Sequence, residues 1–335
     1  MSSTPSLSDA LLRVASLRVE IPTRHGALLA LDDVSFEIAP GEVLGFVGES
    51  GAGKSLTGMA ILGLLDPPGH VAGGEVWLGG RRIDALPPRE MRRVRGREIG
   101  AVFQDPLMSL NPLLTIGAQI DETIRTHLPV GAREAAERSV ALLRSVGIPA
   151  PEDRYEAYPH QLSGGMRQRV VIALALCAEP RLIVADEPTT ALDVSIQAQV
   201  LALLRKLCGQ KRTAMLLVTH DMGVIAETAD RVAVMYAGRI VETGTVEELI
   251  RNPVHPYTRG LMGAIPPLGP VEGPLAQIDG AMPRLNARPP GCAFNPRCPD
   301  AVDRCRAAAP ALEALGTRSV ACWVHGPTAP RKAVQ

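Results

Sequence analysis

No charge of either sign is in excess: 35 Lys and Arg face 35 Asp and Glu, for a formal net charge of zero. That removes any global field drawing the chain onto nucleic acid or acidic lipid. No apolar run approaches the roughly 18–20 residues needed to cross a bilayer. The densest run, Val170–Ala178, reads as a buried helix. The Ser-rich stretch Met1–Ala10 lacks the basic flank and apolar core of a secretory signal, so export is not expected. Cysteine is sparse, six residues in all, and without an export signal disulfides are not expected. What is present is an ordinary soluble composition, 46% apolar and 21% charged, over 335 residues. That length suffices for a large domain and a smaller one.

The chain is organised around Val43–Ser55, where a run of β-favouring residues ends in glycines, then Lys54 and Ser55, then a helical pattern. Gly48, Gly51 and Gly53 let the backbone bend tightly and aim N–H groups inward, and the next helix presents its positive end. Gly48, Glu49, Ser50, Gly51, Ala52 and Gly53 thus form a phosphate loop. Lys54 adds a point charge able to reach β- and γ-phosphates, and Ser55 a hydroxyl for Mg²⁺. A glycine-rich turn without a ligand is the competing reading. The strand before and helix after favour a nucleoside triphosphate.

Strands are expected at Leu11–Ile21 and Leu31–Ile38 with His25-Gly26 as turn, and a hairpin at Gly74–Ile83. Ile99–Gln104 reads as a strand, Asp105–Pro112 as a loop, and Thr115 to Val146 as helical with Ala136, Val140, Leu143 and Val146 on one stripe. Tyr158–Gly165 is a loop and Met166–Ala178 a helix. Buried strands follow at Leu182–Ala185 and Met215–Thr219, with a helix at Ser195–Leu207 between them. A hairpin spans Val232–Glu242, and Val246–Arg251 is a short helix. Near-continuously apolar strands interleaved with helices predict an α/β fold with a mostly parallel sheet covered on both faces. After Asn252 periodic patterning fades and about half of the 29 prolines gather. The choice there lies between a disordered tail and a small stapled domain, and four cysteines with Phe294 and Trp323 favour the second.

Leu182–Glu187 is four apolar residues and then two carboxylates at the carboxyl end of a strand, the edge where open α/β sheets bind ligands. Asp186 is placed to help hold Mg²⁺ and Glu187 to orient and deprotonate a water, against the alternative of a solvated acidic turn. Gln104 and His220 also end strands and can reach the metal, the water or a γ-phosphate oxygen; singly, each reads as an ordinary strand-end residue. Ser163 is an N-cap candidate, and with Gly164-Gly165 it makes a second helix start that a phosphate can approach.

Gly48–Ser55, Gln104, Leu162–Met166, Leu182–Glu187, Ala191-Leu192-Asp193 and His220, in that order, resemble the nucleotide-binding subunit of ATP-binding cassette (ABC) transporters. The resemblance covers about Leu11 to Arg251. It implies a P-loop NTPase core over 11–251 with an inserted helical subdomain at about 105–165. It implies two ATPase subunits packed head to tail, with Ser163 and Gly165 of one closing on the γ-phosphate held by the other and Asp193 supporting the contact. Phe103–Pro106, Ser109–Pro112, Ala185–Asp193, His255–Thr258 and Gly291–Pro299 resemble the dipeptide/oligopeptide/nickel importers. Gly165–Arg169 and Thr189-Thr190 are similar to the first of the two ATPases such importers carry. The implied partners are a sister ATPase (a heterodimer, or a homodimer), two membrane-spanning permease subunits and an extracytoplasmic binding protein, with the chain at the cytoplasmic membrane face. Nickel or another small solute is the alternative cargo. A soluble ABC ATPase of DNA repair or translation is the alternative class; long coiled-coil insertions and a second cassette, which such relatives carry, are absent. A regulatory module without hydrolysis is a third reading, and the Asp186-Glu187 pair opposes it. His25 stands where many relatives place an aromatic residue on adenine. Imidazole stacks less well, and a plain turn role fits it equally.

In residues 252–335, Cys292, Cys298, Cys305 and Cys322 are spaced C-x5-C-x6-C-x16-C, without the tight C-x2-C pairs of many zinc modules. Four thiolates can hold zinc or an iron–sulfur cluster, and spacing does not decide between them, nor against free thiols. The resemblance implies a [4Fe–4S] cluster on these four residues, with zinc as the alternative. Cys177 and Cys208 sit in apolar helical patterns and are expected to pack in the core.

Overall fold

The computed structural model describes residues 10–190, 192–264 and 277–329. Strands β1 (Leu12–Thr23), β2 (Gly26–Ile38) and β3 (Val43–Val47) lead into helix α1 (Lys54–Leu62). Then come β4 (His70–Leu78), β5 (Arg81–Arg82), α2 (Pro88–Arg97), β6 (Ile99–Val102), α3 (Pro106–Ser109), α4 (Ile116–His127), α5 (Ala132–Ser145), α6 (Pro151–Tyr155) and α7 (Gly164–Leu176). The chain continues through β7 (Leu182–Asp186), α8 (Val194–Lys211), β8 (Ala214–Val218), α9 (Met222–Thr228), β9 (Arg231–Tyr236), β10 (Arg239–Thr245), α10 (Val246–Arg251) and α11 (Pro256–Gly263). Last are α12 (Asp303–Ala307), β11 (Glu313–Leu315) and β12 (Arg318–Val320). Among the described residues no helix is long and apolar enough to cross a membrane. The chain divides into two units, one holding residues 10–13, 37–43 and 77–218, the other residues 14–36, 44–76 and 219–329.

In the first unit β6, β7 and β8 run parallel, with Val102 opposite Ala185 and Asp186 opposite Val218. All of β8 and the first four residues of β7 are buried, as expected of strands covered on both faces. Helix α7 buries seven of its residues, Val170 to Ala173 among them, so it lacks a polar face over its second half. The helical segment does not run unbroken from Thr115 to Val146. Pro129 disfavours helical geometry at Leu128, and α4 stops there before α5 begins at Ala132. Asp121 on α4 ties the group together, accepting from Ser139 Oγ on α5 and Tyr155 OH on α6, both at 2.6 Å. Burial first, then the Asp121 contact, pushes the Tyr155 hydroxyl up to about 12, so it stays a donor. Gln119 folds the preceding loop onto α4, donating to Asn111 O at 3.1 Å and accepting from Asn111 N at 2.9 Å.

In the second unit β3 and β9 are parallel, Leu44 facing Arg231 and Val47 facing Val234. Strands β9 and β10 form the expected hairpin, with an irregularity between Ile240 and Glu242. The segment beyond Arg251 adds to this sheet: β12 pairs antiparallel with β10, Glu242 opposite Val320, and β11 pairs with β12. Most of β1, β2 and β4 lies in this unit, in the order β2-β1-β4. An aromatic cluster packs the tail against β9. Tyr236 meets Tyr257 edge-on at 4.6 Å and Phe294 at 5.2 Å, and Tyr257 and Phe294 lie 5.4 Å apart. Trp323 sits apart from that cluster, its indole N–H on Ala308 O at 2.7 Å and the Arg304 guanidinium 3.6 Å above its ring.

Candidate functional site

The phosphate loop follows β3 in the second unit. Gly48 has φ +148° and Gly53 φ +104°, and neither has room for a side chain. A Cβ on Gly48 would lie 2.3 Å from Met235 O, and one on Gly53 2.7 Å from Leu31 Cδ2. Ala52 is buried and its carbonyl accepts from Gly238 N at 2.8 Å, pinning the loop to the β9–β10 turn. Lys54 is only 5% exposed, and its ammonium donates to Gly48 O at 2.8 Å and Glu49 O at 3.1 Å. A buried cation under a glycine cradle at a helix start is a receptor for a polyphosphate. Ser50, Gly51 and Ser55 are exposed on the loop and at its helix. Thr219 N donates to Phe46 O at 3.1 Å, so His220, exposed just past β8, follows a residue bonded to the strand that carries the loop. His25 is exposed in the β1–β2 turn, its backbone N–H on Thr23 Oγ1 at 3.2 Å.

The first unit carries the carboxylates. Because Val102 and Ala185 are opposite each other, Gln104 and Glu187, each two residues further on, come level at the carboxyl edge. Gln104 Nε2 donates to Glu187 Oε2 at 3.2 Å, and Thr190 Oγ1 donates to the same oxygen at 2.9 Å. Glu187 turns out of the strand with φ +45°, a conformation costly for a residue with a Cβ, while its N–H stays on Val218 O at 2.8 Å. Two donors on one carboxylate oxygen fix the side chain at the strand edge, as a positioned base requires. Asp186, half-buried, ends β7 beside it.

Ser163 caps α7, its Oγ accepting from Met166 N at 3.4 Å, and it and Gly164 are exposed at the helix start. Asp193 is exposed at the N-cap position of α8. Ala191 lies outside the described residues.

Residues 31–190 match the ABC transporter family and residues 241–305 the oligopeptide/dipeptide transporter C-terminal region. The dipeptide transport ATP-binding protein DppD of Haemophilus influenzae is 45% identical over 313 residues, covering 93% of this chain and 95% of that one. DppD of Escherichia coli is 46% identical over 306 residues, 91% and 94% of the two chains. The chain belongs to the ATP-binding subunits of the dipeptide/oligopeptide ABC transporters. A putative peptide import ATP-binding protein of Brucella abortus is 46% identical and covers 97% of the chain and 98% of its own length. Among solved structures, the dimeric ATP-binding cassette MJ0796 in a post-hydrolysis state with ADP and Pi is similar with a TM-score of 0.63. It is 28% identical and covers 70% of this chain and 98% of its own. The fold is therefore that of an ABC ATPase cassette with mixed α/β sheets, and the chain is an ATPase.

The family implies ATP with Mg²⁺, and the residues of the loop fit it: its glycines fold over the buried Lys54 ammonium, and the exposed Ser55 beside it carries a hard hydroxyl oxygen.

The expected four-cysteine metal site is overturned. Among the described residues no three His, Cys, Asp or Glu side chains converge in a group able to hold a metal ion. All four cysteines are free, Cys305 and Cys322 buried and Cys292 and Cys298 half-buried. Burial first, with neighbouring thiols adding to it, pushes the Cys292 and Cys298 thiols up to about 11. Neither the iron–sulfur cluster nor zinc in its place has a ligand group among the described residues. Cysteine spacing signalled that these residues share a fold, but aromatic packing and hydrogen bonds such as Cys292 N on Cys305 O at 2.8 Å hold it. Cys177 and Cys208 are buried, and burial pushes both thiols up to about 12.

Sequence reasoning missed Thr190 as a donor to Glu187, although it sits inside a quoted motif. It also missed that Tyr257 OH accepts the Glu49 N–H at 2.8 Å, a contact between residues 208 apart that no local pattern signals.

Proposed function

We propose that this chain is the ATP-hydrolysing subunit that powers import of dipeptides or oligopeptides through a permease. The observation that carries the reading is Glu187, bent out of β7 and held by Gln104 and Thr190, in a chain that aligns over 93% of its length with a dipeptide transport ATP-binding protein. Gly48 to Gly53 bind the phosphates through backbone N–H groups, Lys54 draws the β- and γ-phosphates, and Ser55, Asp186 and Gln104 would hold Mg²⁺. When bound, Mg²⁺ would supply positive charge that offsets that of the phosphates. Glu187 takes the proton of the attacking water, and His220 steadies the γ-phosphate. Ser163 and Gly165 act on the ATP of a second ATPase subunit, with Asp193 at the contact; the dimeric state of the similar cassette MJ0796 supports this pairing. A sister ATPase makes the pair a heterodimer.

Residues 11–251 form the ATPase domain, with a helical subdomain at about 105–165, and 252–335 the C-terminal domain. Next to Gln104, Leu107, Met108, Leu113 and Leu114 are 37–86% exposed, an apolar stretch suited to two membrane-spanning permease subunits. An extracytoplasmic binding protein delivers cargo, and the chain sits peripherally at the cytoplasmic membrane face. The test is uptake of labelled dipeptide into vesicles bearing the permease, both ATPases and ATP. Uptake that requires ATP and is lost with Lys54→Ala supports the reading; nickel uptake without peptide uptake overturns the cargo.

A further inference from the structure

Glu49 places a carboxylate in a loop whose remaining groups, backbone N–H donors and the Lys54 ammonium, are arranged for an anion. A negative charge there repels a polyphosphate unless it is countered. The counter-charge comes from the far end of the chain. Arg297 Nη1 lies 3.0 Å from both Glu49 carboxylate oxygens and 3.3 Å from Tyr236 OH. The Arg297 side chain is only 7% exposed. Its Nε donates to Asp279 O at 2.7 Å, and its Nη2 to Ile278 O at 3.2 Å and Gly280 O at 3.4 Å. The guanidinium is thus fixed on three sides and its charge directed at Glu49. Tyr257, fully buried, accepts the Glu49 backbone N–H, so both ends of Glu49 are held by residues after Arg251.

We propose that Arg297 is a positioning residue for ATP: it neutralises Glu49 and holds that carboxylate away from the phosphates, making nucleotide affinity depend on the C-terminal segment. The proposal rests on the phosphate loop being the ATP site. Removing the guanidinium leaves Glu49 facing the phosphates and weakens ATP binding about tenfold, the scale of one unit charge acting on another through partly solvated protein. Because the deficit is a repulsion, added salt shrinks it.

The experiment is calorimetric titration of ATP into the purified full-length chain, with R297M, R297K, E49Q and the E49Q/R297M double variant. R297M binds about tenfold more weakly, R297K loses less, and E49Q/R297M returns to within about threefold of wild type. Wild-type affinity in R297M overturns the proposal, and so does an E49Q/R297M variant no better than R297M, since a packing role would not be rescued by removing a charge. If R297M does not fold, E49Q alone decides. It binds ATP about two- to fivefold more tightly, because the Arg297 charge is then no longer offset by Glu49, and unchanged or weaker binding contradicts the proposal. Lys54→Ala separates the two levels: if it binds ATP as wild type does, the ATP-site reading itself has failed.

Discussion

Lowering the pH from 7 to 5 destabilises this protein through His255, by an amount the structure sets. His255 is 1% exposed, and its Nδ1 accepts the Tyr257 backbone N–H at 3.1 Å, capping α11. Its own N–H and that of Val254 donate to the fully buried Glu242 carboxylate, each at 2.9 Å. Burial, then the positive charges of His325 and Arg259, drives its pKa down to about 3. In the unfolded chain the value is about 6.5. Between those values the unfolded state binds the extra proton, so stability is complete above about pH 6.5 and falls as the pH falls. From pH 7 to 5 that linkage costs ~2 kcal/mol, because each pH unit within the window is worth ~1.4 kcal/mol. His255→Asn keeps a capping oxygen and removes the titration. Urea unfolding of both proteins at the two pH values isolates the effect, since every other titrating group is common to them. Wild type loses ~2 kcal/mol more than the variant. Equal losses would refute the argument that His255 is held neutral by its surroundings.

Phe294→Ala removes the ring shared by Tyr236, Tyr257 and His255, and lowers stability by ~3–5 kcal/mol in the same unfolding assay. Thr190→Val deletes a donor to Glu187 and lowers kcat about tenfold with little change in the KM for ATP, as expected for one hydrogen bond to a charged group; an unchanged kcat removes Thr190 from the site.

The parts legible in the sequence are those whose signal is local. Val43–Ser55 carries its own strand, turn and helix start, and β7 announces itself by four apolar residues before two carboxylates. Even the meeting of Gln104 and Glu187 follows from two short strands ending at one edge, once their register is known. Helix α2 escaped because eight of its ten residues are Arg, Glu, Gly or Pro and only Met91 and Val94 are buried, too few for a stripe. The split between α4 and α5 was foreseeable from Pro129 and was obscured by the apolar stripe of α5. The cysteines misled for a related reason. Their spacing is a local pattern, whereas the tail is held by contacts to β9 and the phosphate loop from residues more than 50 positions away, as with Arg297 and Tyr236, 61 apart. His255–Thr258 was noticed only as a family likeness; its physical task, capping α11 and sending Tyr257 to Glu49, needed the fold.

The most direct measurement is ATP turnover and ATP binding by Glu187→Gln in the assembled transporter. The substitution keeps the side chain's shape and removes its capacity to accept a proton, so turnover falls by about 10²–10⁴-fold while ATP still binds. Turnover at the wild-type rate, with ATP bound, would contradict the assignment of Glu187 as the base and with it the account of how this chain uses ATP.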